Sequence, residues 1–438
     1  MSIAVGAFRP NYFGIQSLDG KNKVDITNSL LFFDYFEDLL SPCVTAIAQI
    51  ANSSSFFNIL PIRGGEKVAI SIDTAFGEFL LDGDNALYVT KVTGLDAQTQ
   101  NETFTLHMVS LEALSNETSR CEKKYNDATI DIHVKDILKN VLNTKKFDNK
   151  NIEATSNSYS FISNNKKPFH ILTWLGPKSV PATSGGGGTS GEGEYADAKG
   201  TAGFLFYENK DGFNYRSIDS LVSNTQIQNQ SADKEKIVTY TYTQIIENNN
   251  QANELKILNY GFEKNQDLMK ALRVGMYANK SYFYDLYSNS LDIYKYVLKD
   301  EIGNKLGNNN IAVSDEFGDS ISRIMVRVSD RGALNSNGSI SNKLRSGADM
   351  AKSYSRYNIL FTQALNMVVP CNVSLKIGTI INVMLPRIDR TDNKENDDEQ
   401  SGNYLIKGLR HHFEGGQMIT SLRLIRDSYG LYGSNNIF

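Results

Sequence analysis

Cysteine, tryptophan and histidine are all scarce in this chain: 438 residues hold three Cys, one Trp and five His. Each scarcity excludes a class of chemistry. Cys43, Cys121 and Cys371 are odd in number and widely spaced. They show neither metal-ligand nor redox spacing, so they are read as buried thiols of a protein made in a reducing cytoplasm. No two histidines stand at H-x-x-x-H spacing, which argues against a zinc site. No apolar run reaches the ~18 residues of a membrane span, and the N-terminus lacks the charged-then-apolar order of a secretory signal. Basic charge is not in excess either. Lys plus Arg number 45 against 49 Asp plus Glu, a net charge of −4, which excludes a general nucleic-acid binder. G-x-S-x-G, G-x-x-x-x-G-K-[ST] and Cys–His signatures are missing together, and this lowers the expectation of an enzyme.

What the chain does have is 22 Phe and 22 Tyr, rings that pack well on a pleated surface. Alternation follows. Val68, Ile70 and Ile72 share one strand face after a Gly64-Gly65 turn, and Phe104, Leu106 and Met108 share another. Residues 26–51 read as two strands parted at Ser41-Pro42, because Pro42 opposes a continuous helix. Residues 1–25 read as an extended arm. Ile130, Val134, Ile137, Leu138 and Val141 follow helical spacing, with Asp131 at the favourable N-terminal end. Pro168 marks the first turn of another helix. Phe204–Asn209 and Phe213–Ile218 form a hairpin, 237–246 a strand, 266–276 a short helix, 277–297 further strands, and 346–364 a helix. Residues 373–386, 402–413 and 418–427 read as three successive strands of an antiparallel meander.

Four groups of residues have site-like composition. Gly186, Gly188 and Gly191 satisfy G-x-G-x-x-G but lie in the low-complexity stretch 176–203, with no strand before them or helix after, so this is a loop. His411 and His412 are neighbours on a strand and leave opposite faces, one ring in and one out, so they cannot easily share a metal ion. Glu37-Asp38 and Asp397-Asp398-Glu399 supply carboxylates, but a glycosidase pair needs a set separation around a cleft, and the second cluster reads as a solvated loop. No catalytic, cofactor-binding or metal-ligating residue is assigned, and no cofactor is expected. From the residues alone this is a multi-domain, β-rich interaction protein.

Several segments, in order, resemble the central hub of contractile-tail phage baseplates, closest to T4-like myophages. They are Phe36-Glu-Asp-Leu-Leu-Ser-Pro-Cys-Val-Thr-Ala46, Leu60-Pro-Ile-Arg-Gly-Gly-Glu-Lys-Val68, Asn165-Lys-Lys-Pro-Phe169, the run Phe204–Asp219, Arg273-Val-Gly-Met-Tyr277, and the closing hairpin Gly402–His411 with Met418–Ser428. The resemblance implies a β-rich α+β fold: two tail-tube-like antiparallel β-barrels with helical and mixed connecting domains. Expected boundaries are 1–115 for the first barrel, 116–203 for a helical or mixed connector with the Gly-rich loop 184–194, 204–246 and 320–430 for a split second barrel, and 247–319 for an inserted mixed domain.

The resemblance further implies a structural, non-enzymatic role in the virion tail baseplate. Three copies would form a ring of six barrels that adapts a six-fold tube above to a three-fold spike below. Implied partners are two further copies of the chain, the spike, the tail tube or its initiator, and the tape measure protein. Neither sequence-specific nucleic acid nor a membrane span is expected. No spike β-helix or lysozyme segment is read here, so those are expected on other chains. A mildly acidic composition suits a lining that lets DNA pass. The alternatives are a part of a type VI secretion spike or tail-like bacteriocin, or a cell-wall-degrading enzyme.

Overall fold

The computed structural model describes residues 4–52, 61–97, 102–182, 202–222, 237–242, 254–298, 305–307, 315–334, 345–387 and 396–430. Phe104, Leu106 and Met108 are buried, while Thr105 and His107 between them are half-buried. Such a period of two marks a strand with one face on the core. The first strands are β1 (Phe8–Gln16), β2 (Lys23–Asp25), β3 (Leu30–Asp38), β4 (Thr45–Asn52), β5 (Lys67–Thr74), β6 (Gly77–Leu81), β7 (Leu87–Ala97) and β8 (Glu102–Ser110). Next come β9 (Lys124–Tyr125), β10 (Phe161–Ile162), the hairpin β11 (Phe204–Asn209) and β12 (Gly212–Ser217), β13 (Thr239–Thr241) and β14 (Asn259–Lys264). The remaining strands are β15 (Ala278–Asp285), β16 (Ser290–Val297), β17 (Arg323–Val328), β18 (Gln363–Pro370), β19 (Ile380–Met384), β20 (Gly402–Glu414) and β21 (Gln417–Arg426). Among the described residues the helices are α1 (Leu111–Thr118), α2 (Ile130–Asp136), α3 (Pro168–Leu175), α4 (Ile218–Val222), α5 (Leu268–Val274), α6 (Asp315–Gly318) and α7 (Arg345–Ile359).

Two strand circuits share one sheet. The first runs β3-β4-β8-β7-β5-β1. It closes through the far end of the chain: β20 pairs antiparallel with β3, and the turn leading into β21 meets the start of β1. Phe8 N–H donates to Gly416 O (3.3 Å) and Met418 N–H to Gly6 O (2.8 Å). The second circuit runs β13-β19-β20-β21-β18-β14. It closes where Thr241 N–H donates to Leu255 O (2.9 Å) and Ile257 N–H to Thr241 O (3.0 Å). Closure leaves few free edges, the usual solution to an unpaired ladder. One core joins both circuits, from Phe33, Tyr35 and Phe79 to Leu365, Met367 and Tyr404.

β20 serves both circuits, which accounts for its length. Gly408–Glu414 pairs with β3, and Gly402–Leu405 pairs with β19. A second core lies beside the barrels, where Ile130, Val134, Ile137 and Leu138 meet Leu172 and Leu175. β11 and β12 sit between the two cores. Phe204, Phe206, Phe213 and Tyr215 enter the helical core, while Leu205 and Tyr207 enter the barrel core. Burial on both faces explains why every residue of β11 is buried.

Several sequence expectations are corrected. Residues 1–25 hold strands β1 and β2, not a bare arm; a register shift between Pro10 and Tyr12 accommodates the proline, which cannot donate to a ladder. Residues 373–379 form turns, and only Ile380–Met384 is strand. The helix expected over 346–364 ends at Ile359, and Gln363–Pro370 is β18. The hairpin 204–217 packs with the helical unit instead of belonging to the second circuit. β14 belongs to that circuit rather than to an insertion, and β17 pairs with β15 in a separate three-stranded sheet. The Gly-rich stretch 184–194 lies outside the described residues.

Candidate functional site

The carboxylates of Glu37 and Asp38 leave opposite faces of β3, as strand geometry requires. Glu37 is buried. Its Oε1 accepts from Lys210 N–H (2.7 Å) and Tyr35 O–H (3.0 Å), and its Oε2 from Ile377 N–H (3.0 Å). Burial pushes its pKa up to about 7, against the pull of those three donors. The group therefore clasps β3, the tip of the β11–β12 hairpin and the turn before β19 together. Asp38 instead pairs with Lys407 Nζ (2.8 Å) on the open face. The two acids thus have separate structural tasks and form no acid–base pair.

Asp397 Oδ1 accepts from the backbone N–H of Glu399 and Gln400, both at 3.0 Å. That is a turn device, in line with the loop reading of this cluster. His411 and His412 leave opposite faces, as the strand reading expects. His411 is buried with Nδ1 at 2.9 Å from Thr420 Oγ1 and 3.6 Å from Cys371 Sγ. Burial holds its pKa down to about 3, so it is a neutral core ring. Cys121 and Cys371 are buried, Cys43 is half-buried, and all three are free thiols. Among the described residues no group of three His, Cys, Asp or Glu side chains could hold a metal ion, and no helix is long and apolar enough to cross a membrane.

The feature these elements build is a broad open face on the shared sheet. The register places Asn259, Val368, Ser421, Arg410, Phe36, Thr45 and Val109 in one cross-strand row, spanning β14 to β8. A second row runs Gly261, Asn366, Arg423, Gly408, Asp38. A groove of about 780 Å³ follows these rows from β14 as far as β3. At the seam, Arg410 grips Asp34 with two bonds, Nε–Oδ1 at 3.0 Å and Nη2–Oδ2 at 2.8 Å, and His412 Nδ1 adds a third contact at 2.6 Å. A bidentate guanidinium–carboxylate pair fixes orientation as well as distance. The charges of this face are mixed and mostly paired.

Three ionic ties that sequence reasoning missed join separate units of the chain. Lys146 Nζ lies 2.9 Å from Glu112 and 3.0 Å from Glu208. Burial opposes the charge on Lys146, but Glu208 and Glu112 outweigh it and hold its pKa above the ordinary lysine value. Glu208 also accepts from Ser110 Oγ (2.6 Å) and Val44 N–H (3.0 Å), tying the hairpin to the first circuit. Arg356 on α7 reaches Asp219 (3.2 Å) and Asp427 (3.4 Å). Lys178 pairs with Asp330 above the Trp174 ring. A single charge within the apolar run of β11 was the only local signal for Glu208; its partners Lys146, Ser110 and Val44 are 62, 98 and 164 residues away in sequence.

No protein-family profile and no curated protein matches the sequence. Solved structures do match. A tail protein from Neisseria meningitidis MC58 aligns over 96% of this chain and 97% of its own, at 12% identity and a TM-score of 0.53. The 43 kDa tail protein of prophage MuSo2 from Shewanella oneidensis aligns over 95% and 98%, at 11% identity and a TM-score of 0.52. A component of the Escherichia coli type VI secretion system aligns over 98% of this chain and 79% of its own, at 10% identity and a TM-score of 0.42. The chain therefore shares, over nearly its whole length, the β-rich fold of two tail proteins.

Proposed function

We propose that this chain is a structural hub of a contractile phage tail, not an enzyme. In this reading three copies form a ring of six barrels in the baseplate of the virion. The ring joins the six-fold tail tube above to a three-fold spike below, and the tape measure protein reaches it from above. The observation that carries the reading is the fusion of two closed strand circuits through β20 and β21 in one polypeptide. A chain with two such modules turns three-fold symmetry into six similar positions, and head-to-tail packing closes a ring when the rotation closes. The likeness to tail proteins over almost the full chain supports the same reading.

The open face of the shared sheet is taken as the lining of the passage. Its cations Lys407 and Arg410 are matched by Asp38 and Asp34 at the seam, which breaks any continuous basic track for passing DNA. Light scattering on the full chain, alone and with its spike, tests the assembly. A particle of three times the 48.8 kDa chain mass is expected in at least the second sample. A monomer in both samples would refute the reading.

A further inference from the structure

The three-stranded sheet β16-β15-β17 has one covered and one bare face. On the covered side, Phe283, Tyr296 and Met325 are buried and α7 packs across β15 and β16. A Cβ at Gly347 would fall 2.8 Å from the Tyr294 ring and 3.1 Å from Phe283, so the helix lies close against the strands there. The other side shows three cross-strand rows: Leu291–Tyr284–Val328, Ile293–Tyr282–Val326 and Lys295–Lys280–Ile324. Val326 is 75% exposed, Ile324 62%, Val328 58%, Leu291 53% and Ile293 52%. A solvated sheet face ordinarily alternates to polar residues, and contiguous apolar patches of this kind mark contact sites.

We propose that this bare face is a docking site for one amphipathic helix of a partner protein, with acidic residues beside its apolar stripe. Size argues for a single helix. Three strands about 4.8 Å apart and three rows about 7 Å apart give a footprint on the order of 300 Å². A second copy of the chain would need about 800 Å² per partner for a stable interface. An α-helix is about 10 Å across, and the opposite face of the same sheet already holds one of fifteen residues. Charge decides the character of the partner. Lys280 and Lys295 stand side by side at one end of an otherwise apolar strip, so acidic side chains on the helix find partners there and basic ones meet repulsion. This site is separate from the open face of the barrels and does not depend on the ring.

A labelled fifteen-residue helical peptide with a leucine stripe flanked by glutamates tests this on the full chain, with a lysine-flanked peptide as control. The glutamate peptide should bind, and Val326→Glu or Ile293→Glu should each weaken binding at least ~10-fold. The double variant Lys280→Glu/Lys295→Glu should reverse the preference toward the lysine peptide. All these side chains lie on the solvent side, so melting temperatures should stay near wild type, and the particle mass should be unchanged. Absence of binding to the folded wild type, or equal binding to Val326→Glu, overturns the proposal. So does a self-association that Val326→Glu abolishes, since a second copy would then be the occupant.

Discussion

Replacing Glu37 by Gln should change how stability depends on pH, and the size of the change follows from the geometry. Glu37 is enclosed, and burial lifts its pKa from the ordinary 4.5 to about 7. Across that interval the folded chain keeps a proton that the unfolded chain has released. Stability from this group is therefore fully present below pH 4.5 and is lost as pH rises through 7, about 3 kcal/mol in all. Glutamine cannot titrate, so the variant lacks this loss. It introduces a fixed cost of its own. An amide N–H₂ must face either Lys210 N–H or Ile377 N–H, and one unsatisfied buried donor costs about 1–3 kcal/mol. The variant should accordingly be less stable than wild type at pH 5, and the gap should close or reverse by pH 8. Thermal melts of both proteins at matched pH values measure it, since other titrating groups cancel in the difference. Parallel pH profiles would refute the idea that Glu37 is a desolvated clasp between the two circuits.

Lys146→Met leaves the carboxylates of Glu112 and Glu208 buried without their cation, and a loss of about 3–5 kcal/mol in thermal or urea unfolding is expected. Adding Glu208→Gln to that variant should restore part of it. Gly378→Ala should cost about 2 kcal/mol or more in the same assay, because its φ is +77° and a Cβ would lie 2.3 Å from the Tyr207 hydroxyl. His411 has its pKa depressed to about 3. Its contribution to stability is present above pH 6.5 and is lost as pH falls toward 3, and its ring resonances should not titrate between pH 8 and 4.5 by NMR.

Local pattern carried much of the fold. The Phe104, Leu106 and Met108 face, the break at Ser41-Pro42, the Pro168 helix start and the Asn209–Gly212 turn are all decided by neighbours in sequence. The failures have identifiable physical causes. Val373, Leu375 and Ile377 alternate because successive turns point them at the same core, which mimics a strand. Pro10 disguises β1 because a bulge absorbs it. In β20, Tyr404, Leu405 and Ile406 are all buried, since two circuits share the strand and no face is left for solvent. The surfaces proposed here as contact sites were the least legible. The Arg410–Asp34 seam joins residues 376 positions apart, and the bare face of β15, β16 and β17 exists only once a parallel pairing has brought Val326 beside Tyr282. Nothing in either local segment encodes that meeting.

Electron cryomicroscopy of the chain assembled with its spike tests the hub most directly. The account predicts a three-fold particle with six barrel densities around a central passage, Arg423 and Asn366 facing inward. A particle of any other symmetry, or one whose groove-bearing sheet face points outward, would contradict it.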